Sequence, residues 1–207
     1  MKNPLIITIG REYGSGGREI GKALAEKLGI SFYDKKIISL AAEKSGLSAE
    51  FITSNEQRAG SLMHSISAAP TYHGGFFSPQ HLPLSETIFI SQAQVIRDIA
   101  AKEPAVIVGR CADYILAGRK NTVNIFIHAP KEDRVRRIMA LYSLSEADAL
   151  KAIAKSDKER GNHYFRYTDM KWGKAQNYDI CVNSSLLGID GTVEMLMDVA
   201  KIEERTL

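Results

Sequence analysis

Short apolar segments alternate with longer segments of helical periodicity along the whole chain. Apolar and β-branched residues dominate five short runs, which predict buried strands over residues 5–9, 30–33, 105–108, 123–127 and 180–182. Apolar positions three and four residues apart predict helices over about 20–28, 35–45, 48–59, 86–102, 111–117, 131–142, 145–158 and 190–204. Strands that are apolar throughout and alternate with helices predict an α/β fold, with a five-stranded parallel sheet covered by helices on both faces. Ligands bind such sheets at the carboxyl ends of the strands, so we expect the chemistry in the loops after strands one, three and four.

One segment interrupts this alternation. Between residues 60 and 84, glycine and proline recur among serine, histidine and phenylalanine, and no regular period is visible. A loop of about 25 residues in a compact domain is usually functional or disordered. The sequence therefore predicts a flexible segment over 60–84.

Composition narrows the class of protein. Of the 207 residues, 44% are hydrophobic and 25% are charged, as in an ordinary soluble globular protein. At ~150 residues per domain, this length predicts one domain with an insertion. The two cysteines, Cys111 and Cys181, exclude a disulfide scaffold and a four-thiolate zinc site, and the five histidines lack metal-ligand spacing.

The charge and hydropathy of the chain exclude some classes of binding partner. A net charge of +3 is too small for a general nucleic-acid binder, so any anion site has to be local. No apolar run approaches the ~20 residues of a membrane-spanning helix, and the N-terminus leads into the first strand without room for a signal peptide. We therefore expect a cytoplasmic protein without nucleic-acid or membrane partners.

A glycine-rich loop follows the first strand, from Gly10 to Gly17. Glycines let the backbone fold its N–H groups inward, and the N-terminus of the next helix adds about half a positive charge. A tight strand-to-helix turn is the alternative, but four glycines in eight positions exceed what a turn needs. The loop therefore predicts phosphate binding at Gly14, Ser15, Gly16 and Gly17.

Two regular glycine patterns fit this loop poorly. The dinucleotide-binding pattern would place Glu19 at its third glycine. A P-loop from Gly16 to Gly21-Lys22 would include Ile20, which already belongs to the apolar face of the helix. Lys22 is therefore predicted to be a solvated surface residue. A P-loop that starts at Arg11 fits better, but it places Gly17 where the phosphate-binding lysine should stand. Arg18 is then the adjacent cation.

Four stretches, in this order, resemble the cytidylate kinase-like family, a branch of the P-loop nucleoside monophosphate kinases. They are residues 6–20, 28–34, 106–113 and 129–137, the last continuing to 155–160. The resemblance covers about residues 4–204 and implies a single P-loop kinase-like domain over 1–207. Within it, about 35–104 would bind the acceptor, with 60–84 flexible, and about 131–175 would form a helical lid. It implies phosphoryl transfer from ATP, with Mg²⁺, to a nucleoside monophosphate or a similar small phosphate-bearing acceptor.

The resemblance also implies roles for two residues on the acceptor side. Arg110, in a Gly-Arg pair after strand three, would grip the acceptor phosphate, because a guanidinium meets two phosphate oxygens at once. Asp34, at the end of strand two, would face the acceptor or organise Mg²⁺ through water; a helix N-cap is the alternative. Cys111 stands where the family usually has an aspartate, which leaves recognition of the base open.

Arginines of the predicted lid complete the expected site. Arg134, Arg137, Asp157 and Arg160 match the lid pattern, in which closure brings arginines onto the transferring phosphoryl group and excludes water. The resemblance implies catalytic roles for Arg18, Arg137, Asp157 and Arg160, and contacts to ATP phosphates from Arg18, Glu19 and Arg134. A solvated charged helix pair is the alternative, and we favour it for Arg136.

Two further interpretations follow from the residues themselves. Tyr164, Phe165, Tyr167 and Trp172 are predicted to pack under the lid, with a base pocket as the alternative. The alternative function is that of a protein that binds nucleotide or phosphate without transferring a phosphoryl group. Three replacements favour it: Gly17 replaces the P-loop lysine, Glu19 replaces the serine or threonine that would hold Mg²⁺, and Val108 replaces an acidic residue. If Arg18 meets the developing charge, Arg18→Ala should cost roughly 10²-fold more in kcat than Lys22→Ala.

Overall fold

A five-stranded parallel sheet forms the centre of the protein. The computed structural model describes residues 3–46, 48, 50, 52–53 and 83–206. The strands are β1 Ile6–Arg11, β2 Ser31–Tyr33, β3 Ala105–Val108, β4 Thr122–His128 and β5 Ile180–Asn183. Their order is β2-β3-β1-β4-β5, with every neighbouring pair parallel. The α/β fold predicted from the sequence is therefore confirmed.

Helices connect these strands and cover both faces of the sheet. They are α1 Gly17–Leu28, α2 Lys36–Ser45, α3 Leu84–Lys102, α4 Ala112–Ile115, α5 Lys131–Tyr142, α6 Glu146–Thr168 and α7 Ser184–Thr206. Most of the predicted helix over 48–59 and of the predicted loop over 60–84 lies outside the described residues. Among the described helices, none combines the length and apolar character needed to cross a membrane.

Two apolar layers explain why the strands carry continuous apolar sequence. Ile6 of β1 and Ile107 of β3 pack on one face of the sheet, with α2 and α3. Ile7 and Ile9 of β1 point to the opposite face, against α1 and α7. Because successive strand residues alternate between two covered faces, nearly every position has to be apolar.

The first strand is longer than the sequence predicts. The expected turn began at Gly10, but Gly10 and Arg11 continue the ladder, opposite Phe126 and Ile127 of β4. A Cβ on Gly10 would lie 2.9 Å from the Phe126 ring, so this glycine provides space between packed elements and no turn. The turn therefore starts one residue after Arg11, whose side chain is held at the end of a strand.

The sixth helix also exceeds its predicted end at 158. It continues through Gly161 to Thr168, and the C-cap residue Asp169 has a left-handed backbone and donates its N–H to the Phe165 carbonyl. Aromatic packing supports this extension, because the Tyr167 ring stacks on Phe89 with centroids 3.9 Å apart. Arg160 therefore lies inside α6 and not beyond it.

The last helix begins six residues before its predicted start at 190. Ser184 is its first residue, and a kink at Gly188, with φ of 67°, separates its first turn from the rest. The Ser184 hydroxyl donates to the Ser15 carbonyl at 2.6 Å. The start of α7 is therefore anchored to the glycine loop, and no local sequence pattern predicts this contact.

Candidate functional site

The glycine loop presents backbone N–H groups at the carboxyl end of β1. Gly14 and Gly16 have left-handed backbones, with φ of 84° and 79°. Ile20 donates the first hydrogen bond of α1 to the Gly16 carbonyl at 2.9 Å. The preceding N–H groups, from Gly17 to Glu19, have no acceptor within the helix by geometry. The loop and helix start therefore form an arrangement suited to an anion.

Hydrogen bonds from other parts of the protein hold this loop in place. Ser15 is fully buried, and its hydroxyl donates to the Glu12 carbonyl at 2.9 Å. The carbonyl of Ser15 in turn accepts from Ser184. The Asp157 carboxylate accepts the Tyr13 N–H at 2.8 Å. These contacts hold the loop without a ligand, which favours binding because they reduce the cost of ordering it.

Arg134 and Asp157 form one ion pair at the outer side of the loop. Arg134 Nη1 lies 2.5 Å from Asp157 Oδ2 and donates to the Tyr13 carbonyl at 3.2 Å. Arg134 Nε lies 3.4 Å from the Glu12 carboxylate. The pair joins α5 and α6 to the loop, and neither residue lines the cavity described below. Their geometry is that of a brace for the phosphate-binding backbone.

Arg137 reaches the front of the loop. Its Nη1 lies against Gly16, so close that a Cβ there would fall inside the 3.0 Å that real Cβ atoms keep. This nitrogen is buried and has no hydrogen-bond partner among the described residues, and the Glu19 carboxylate is 3.9 Å away. A buried donor beside unsatisfied backbone N–H groups suits a phosphate oxygen.

Two charged residues lie where the sequence predicts, in solvent. The Arg136 side chain is 75% exposed and pairs with Asp133 within its own helix. The Lys22 side chain is 63% exposed and lies 3.6 Å from Glu26. Both side chains therefore belong to the solvated surface.

A cavity of 270 Å³ opens at the carboxyl ends of β1 and β3, beside the glycine loop. It is lined by Gly10, Arg11, Gly109, Arg110, Cys111, Asp113, Ser156, Glu159, Arg160, His163, Tyr164, Trp172 and Tyr178. Three guanidinium groups share this small volume, from Arg11, Arg110 and Arg160. Guanidinium groups gathered in a concave site at strand ends are suited to an anionic ligand.

The predicted acceptor-side arginine lies on this wall in a strained backbone. Gly109, Arg110 and Cys111 all have positive φ, at 76°, 60° and 54°. Non-glycine residues held in this conformation cost stability and cluster at functional sites. Burial lowers the pKa of Arg110 to about 10, so it remains charged at neutral pH. Burial raises the pKa of Cys111 to about 12, so the thiol stays protonated.

Arg160 enters the cavity from α6. Its Nη1 donates to the Arg11 carbonyl at 2.9 Å, and its guanidinium carbon lies 5.4 Å from the centre of the Tyr13 ring. Burial lowers its pKa below the usual value for arginine. The hydrogen bond ties the lid side of the site to the end of β1.

Arg18 points away from the glycine loop. The resemblance assigns this side chain to the ATP phosphates, whereas in the structure Arg18 Nε donates to Asp34 Oδ2 at 2.6 Å. The same carboxylate lies 4.0 Å from Arg11 Nη2. The alternative role of Asp34, as the N-cap of α2, is not seen either, because Lys35 occupies the N-cap position and no side chain there makes a capping hydrogen bond. Tertiary proximity of β2 and α1 gives both side chains a stronger partner than either prediction assumed.

Polar and aromatic residues form the rest of the cavity wall. The Tyr164 hydroxyl donates to Asp113 Oδ2 at 2.7 Å, and burial raises the pKa of Asp113. Trp172 lies edge-on to Phe126, with centroids 5.3 Å apart. His163 Nε2 is buried without a hydrogen-bond partner in the described part of the chain.

The four aromatic residues singled out in the sequence therefore fall into two groups. Tyr164 and Trp172 line the cavity, as the base-pocket alternative requires. Tyr167 packs on Phe89, as the packing interpretation requires, and Phe165 is 52% exposed. Sequence spacing could not separate them, because α6 was expected to end before all four.

We predict that His163 makes stability depend on pH. Burial, with a smaller contribution from Arg110, lowers its pKa from 6.5 to about 4. The unfolded chain then binds the proton more tightly, so stability is present above pH ~6.5 and is lost as pH falls towards 4. At pH 5 the loss should be about 2 kcal/mol. Urea denaturation of wild type and His163→Phe at pH 8 and pH 5 measures this loss as a difference in the free energy of unfolding.

The variant should lose less stability than the wild type over this interval, because phenylalanine also places an aromatic ring there but has no nitrogen that binds a proton. Other groups titrate equally in both proteins and cancel in the comparison. Equal losses in the two proteins would contradict the assignment to His163.

No cluster of three or more metal-ligating side chains occurs among residues 3–46, 48, 50, 52–53 and 83–206. Mg²⁺ usually keeps several waters and is bound by one or two carboxylates together with substrate phosphates. Glu19, in the first turn of α1, is a carboxylate beside the loop with a half-exposed side chain. The site therefore suits a metal ion that arrives with a nucleotide.

Comparison with known proteins places the chain in a family. Residues 6–186 match the cytidylate kinase-like family. The chain belongs to the cytidylate kinase-like family. An uncharacterised protein from Eubacterium ventriosum has a similar structure, with 29% sequence identity and a TM-score of 0.70 over 95% of this chain and 98% of that one.

More distant structures share the fold. Shikimate kinase from Bacteroides thetaiotaomicron is 13% identical, with a TM-score of 0.55 over 95% of this chain and 98% of that one. A gluconokinase from Sinorhizobium meliloti is also 13% identical, with a TM-score of 0.54 over 100% and 99%. The family match supports a kinase-like, nucleotide-binding protein, and these structures share its fold.

One curated relative matches only part of the chain. A uronate isomerase from Corynebacterium glutamicum is 29% identical over 107 residues. These are 51% of this chain and 21% of the relative, so the chain spans about a fifth of that protein's length.

Proposed function

We propose that this protein transfers a phosphoryl group from ATP to a small phosphate-bearing acceptor, of which nucleoside monophosphates are the first class to test. The observation that carries the proposal is the cavity beside the glycine loop, into which Arg11, Arg110 and Arg160 converge. One anionic ligand on the loop and a second in the cavity would be neighbours. Transfer between two phosphates needs mainly positioning and neutralisation of charge.

The donor nucleotide would lie with its phosphates on the glycine loop. Backbone N–H groups at the start of α1 and the Arg137 Nη1 donor support this placement. Mg²⁺ would be held chiefly by the phosphates, with Glu19 as the protein carboxylate beside them, and it would supply charge neutralisation. Arg134 and Asp157 would keep the loop in shape without touching the nucleotide.

The acceptor would occupy the cavity, with its phosphate on Arg110. The opposite wall supports a nitrogenous base, because Trp172 offers an apolar ring and Asp113 a buried carboxyl group. His163 is neutral at physiological pH, since burial lowers its pKa to about 4. Asp34, held by Arg18, would border the acceptor phosphate and orient Arg11. In this arrangement α5 and α6 form the lid, and they exclude water from the transfer.

We expect Arg110→Lys to raise the acceptor KM and to lower kcat while ATP affinity stays near the wild-type value. Lysine keeps the charge but loses the two-point contact that a guanidinium makes with phosphate. Steady-state kinetics with varied acceptor, and calorimetry with ATP alone, measure the two effects separately. An equal loss of ATP affinity would place Arg110 at the donor and not at the acceptor.

The test of the function is ADP release over a panel of acceptors. Purified protein is given ATP, Mg²⁺ and one of several nucleoside monophosphates or phosphorylated sugars, with unphosphorylated cytidine as the control. Release that depends on a phosphorylated acceptor supports the kinase. Arg136→Ala, which alters only an exposed side chain, should behave like wild type.

A second function is favoured by one observation, the glycine at position 17. A protein that binds nucleotide without transferring phosphate has no need of the P-loop lysine. ATP binding by calorimetry, without ADP release for any acceptor in the panel, would establish this alternative.

The proposed activity suits the cytoplasm. ATP is available there, and the free thiols of Cys111 and Cys181 persist in a reducing compartment. Nucleotides are then the expected small-molecule partners.

A further inference from the structure

We propose that Arg11 supplies, from the end of β1, the positive charge that a lysine at position 17 would supply in an ordinary P-loop. This assignment rests on the proposed function and deepens it. The lysine of a P-loop reaches the β- and γ-phosphates from the start of the helix. Here the cation and the glycine have exchanged places, so that the charge arrives from the strand.

The backbone of Arg11 is fixed on both sides. It pairs with Ile127 of β4 as the last residue of the strand, and the next N–H, of Glu12, donates to the Ile127 carbonyl at 3.0 Å. Its own carbonyl accepts from Arg160 Nη1 at 2.9 Å. The side chain therefore leaves a rigid point at the carboxyl edge of the sheet, where ligands of parallel sheets bind.

The course of the side chain explains why position 17 is glycine. A Cβ on Gly17 would lie 2.6 Å from Arg11 Cβ and 3.1 Å from Arg11 Cγ. Gly17 is an ordinary first residue of α1 and has no positive φ, so its backbone conformation admits any side chain. Space alone excludes one, and Arg11 makes the two closest contacts, with Ile127 Cβ further away at 3.2 Å. The missing lysine is thus the consequence of Arg11 and not a loss by itself.

A second glycine makes room for the far end of the same side chain. A Cβ on Gly109 would lie well inside 3.0 Å from Arg11 Nη1. The guanidinium therefore rests against the Gly109 backbone at the end of β3, directly before Arg110. It lies between the glycine loop and the acceptor wall, which is where a phosphoryl group in transfer has to pass.

The charges around this guanidinium leave it suited to an anion. The carboxylate beside it, that of Asp34, lies 4.0 Å from Arg11 Nη2 and already accepts a hydrogen bond from Arg18 at 2.6 Å. Burial and then the neighbouring charge of Arg160 lower the pKa of Arg11 to about 9, which still leaves it protonated at neutral pH. A bound phosphate would relieve this crowding of like charges.

The transfer step balances without a proton from Arg11. The bond between the γ-phosphorus and the bridging oxygen breaks, and its electron pair stays on ADP. A new bond forms between that phosphorus and an oxygen of the dianionic acceptor phosphate. Arg11 holds an equatorial oxygen throughout and remains charged, as the lysine does in other P-loop proteins.

A double-mutant cycle tests the exchange directly. The variants are Arg11→Gly, Gly17→Lys and the double variant that combines them, with Lys22→Ala as the control on the exposed face of α1. The first readout is the Kd of the non-hydrolysable analogue AMP-PNP with Mg²⁺, measured by calorimetry; the second is kcat. Thermal denaturation checks that each variant is folded.

We expect each single variant to weaken AMP-PNP binding by about 10-fold or more, because one removes the charge and the other clashes with it. The double variant should recover to within a few-fold of wild type, which a merely structural role of Arg11 would not produce. Lys22→Ala should bind normally. A folded Arg11→Gly protein with unchanged Kd, or a double variant no better than the singles, would overturn the assignment.

The cycle separates this assignment from the proposed function. If wild type binds AMP-PNP but releases no ADP with any acceptor, the kinase proposal fails while the binding cycle still decides the role of Arg11. If wild type binds neither AMP-PNP nor tripolyphosphate, both proposals are overturned together.

Discussion

Arg160→Ala is expected to lower kcat by roughly 10²-fold or more, the scale of losing one preorganised charge donor. The Arg160 guanidinium lines the cavity from α6 and is tied to the end of β1 through the Arg11 carbonyl at 2.9 Å. Charge that develops on the transferring phosphoryl group would lose this partner, whereas ground-state binding of ATP on the glycine loop would change little. Burst-phase and steady-state kinetics with a verified acceptor measure the loss.

The matched control is Arg136→Ala, which removes the same kind of side chain from the neighbouring lid helix. Arg136 is 75% exposed and pairs only within α5 among the described contacts, so its loss should leave kcat within about twofold of wild type. A folded Arg160→Ala protein that turns over as fast as this control would show that the lid does not carry the charge.

Gly16→Ala is expected to weaken ATP binding by at least about 10-fold. A methyl group at this position would press on Arg137 Nη1 and on Ile189 Cδ1, both inside the 3.0 Å that real Cβ atoms keep. The φ of 79° adds backbone strain of about 1 kcal/mol. Displaced Arg137 could no longer face the loop, so affinity should fall in calorimetry with AMP-PNP.

Gly29→Ala is the control that separates the effect of backbone strain from the effect of the contact with Arg137. Gly29 caps the other end of α1 with φ of 66°, and nothing lies within 4 Å of a Cβ there. Both variants should lose a similar free energy of unfolding from the backbone, but only Gly16→Ala should lose affinity. If the two variants bind AMP-PNP equally, Arg137 has no part in holding phosphate.

Local sequence was sufficient for the architecture because the signals that specify it are local. Apolar runs such as Ile6–Ile9 and Ala105–Val108 have to be strands covered on both faces. The glycines between Gly14 and Gly17 predict the anion-binding loop, since a tight inward turn of the backbone needs them. The family followed from the order and spacing of four such stretches, and the match over residues 6–186 confirms it.

The tertiary structure decided which cation faces which group. Arg18 was expected to contact the ATP phosphates, but the packing of α1 beside the end of β2 pairs it with Asp34. In the sequence, Arg11 received no role beyond starting the P-loop pattern, because it stood inside an expected turn. Pairing with β4 makes it the last strand residue and directs its side chain over Gly17. Residues far apart in sequence met here through sheet register and helix packing, which local periodicity does not encode.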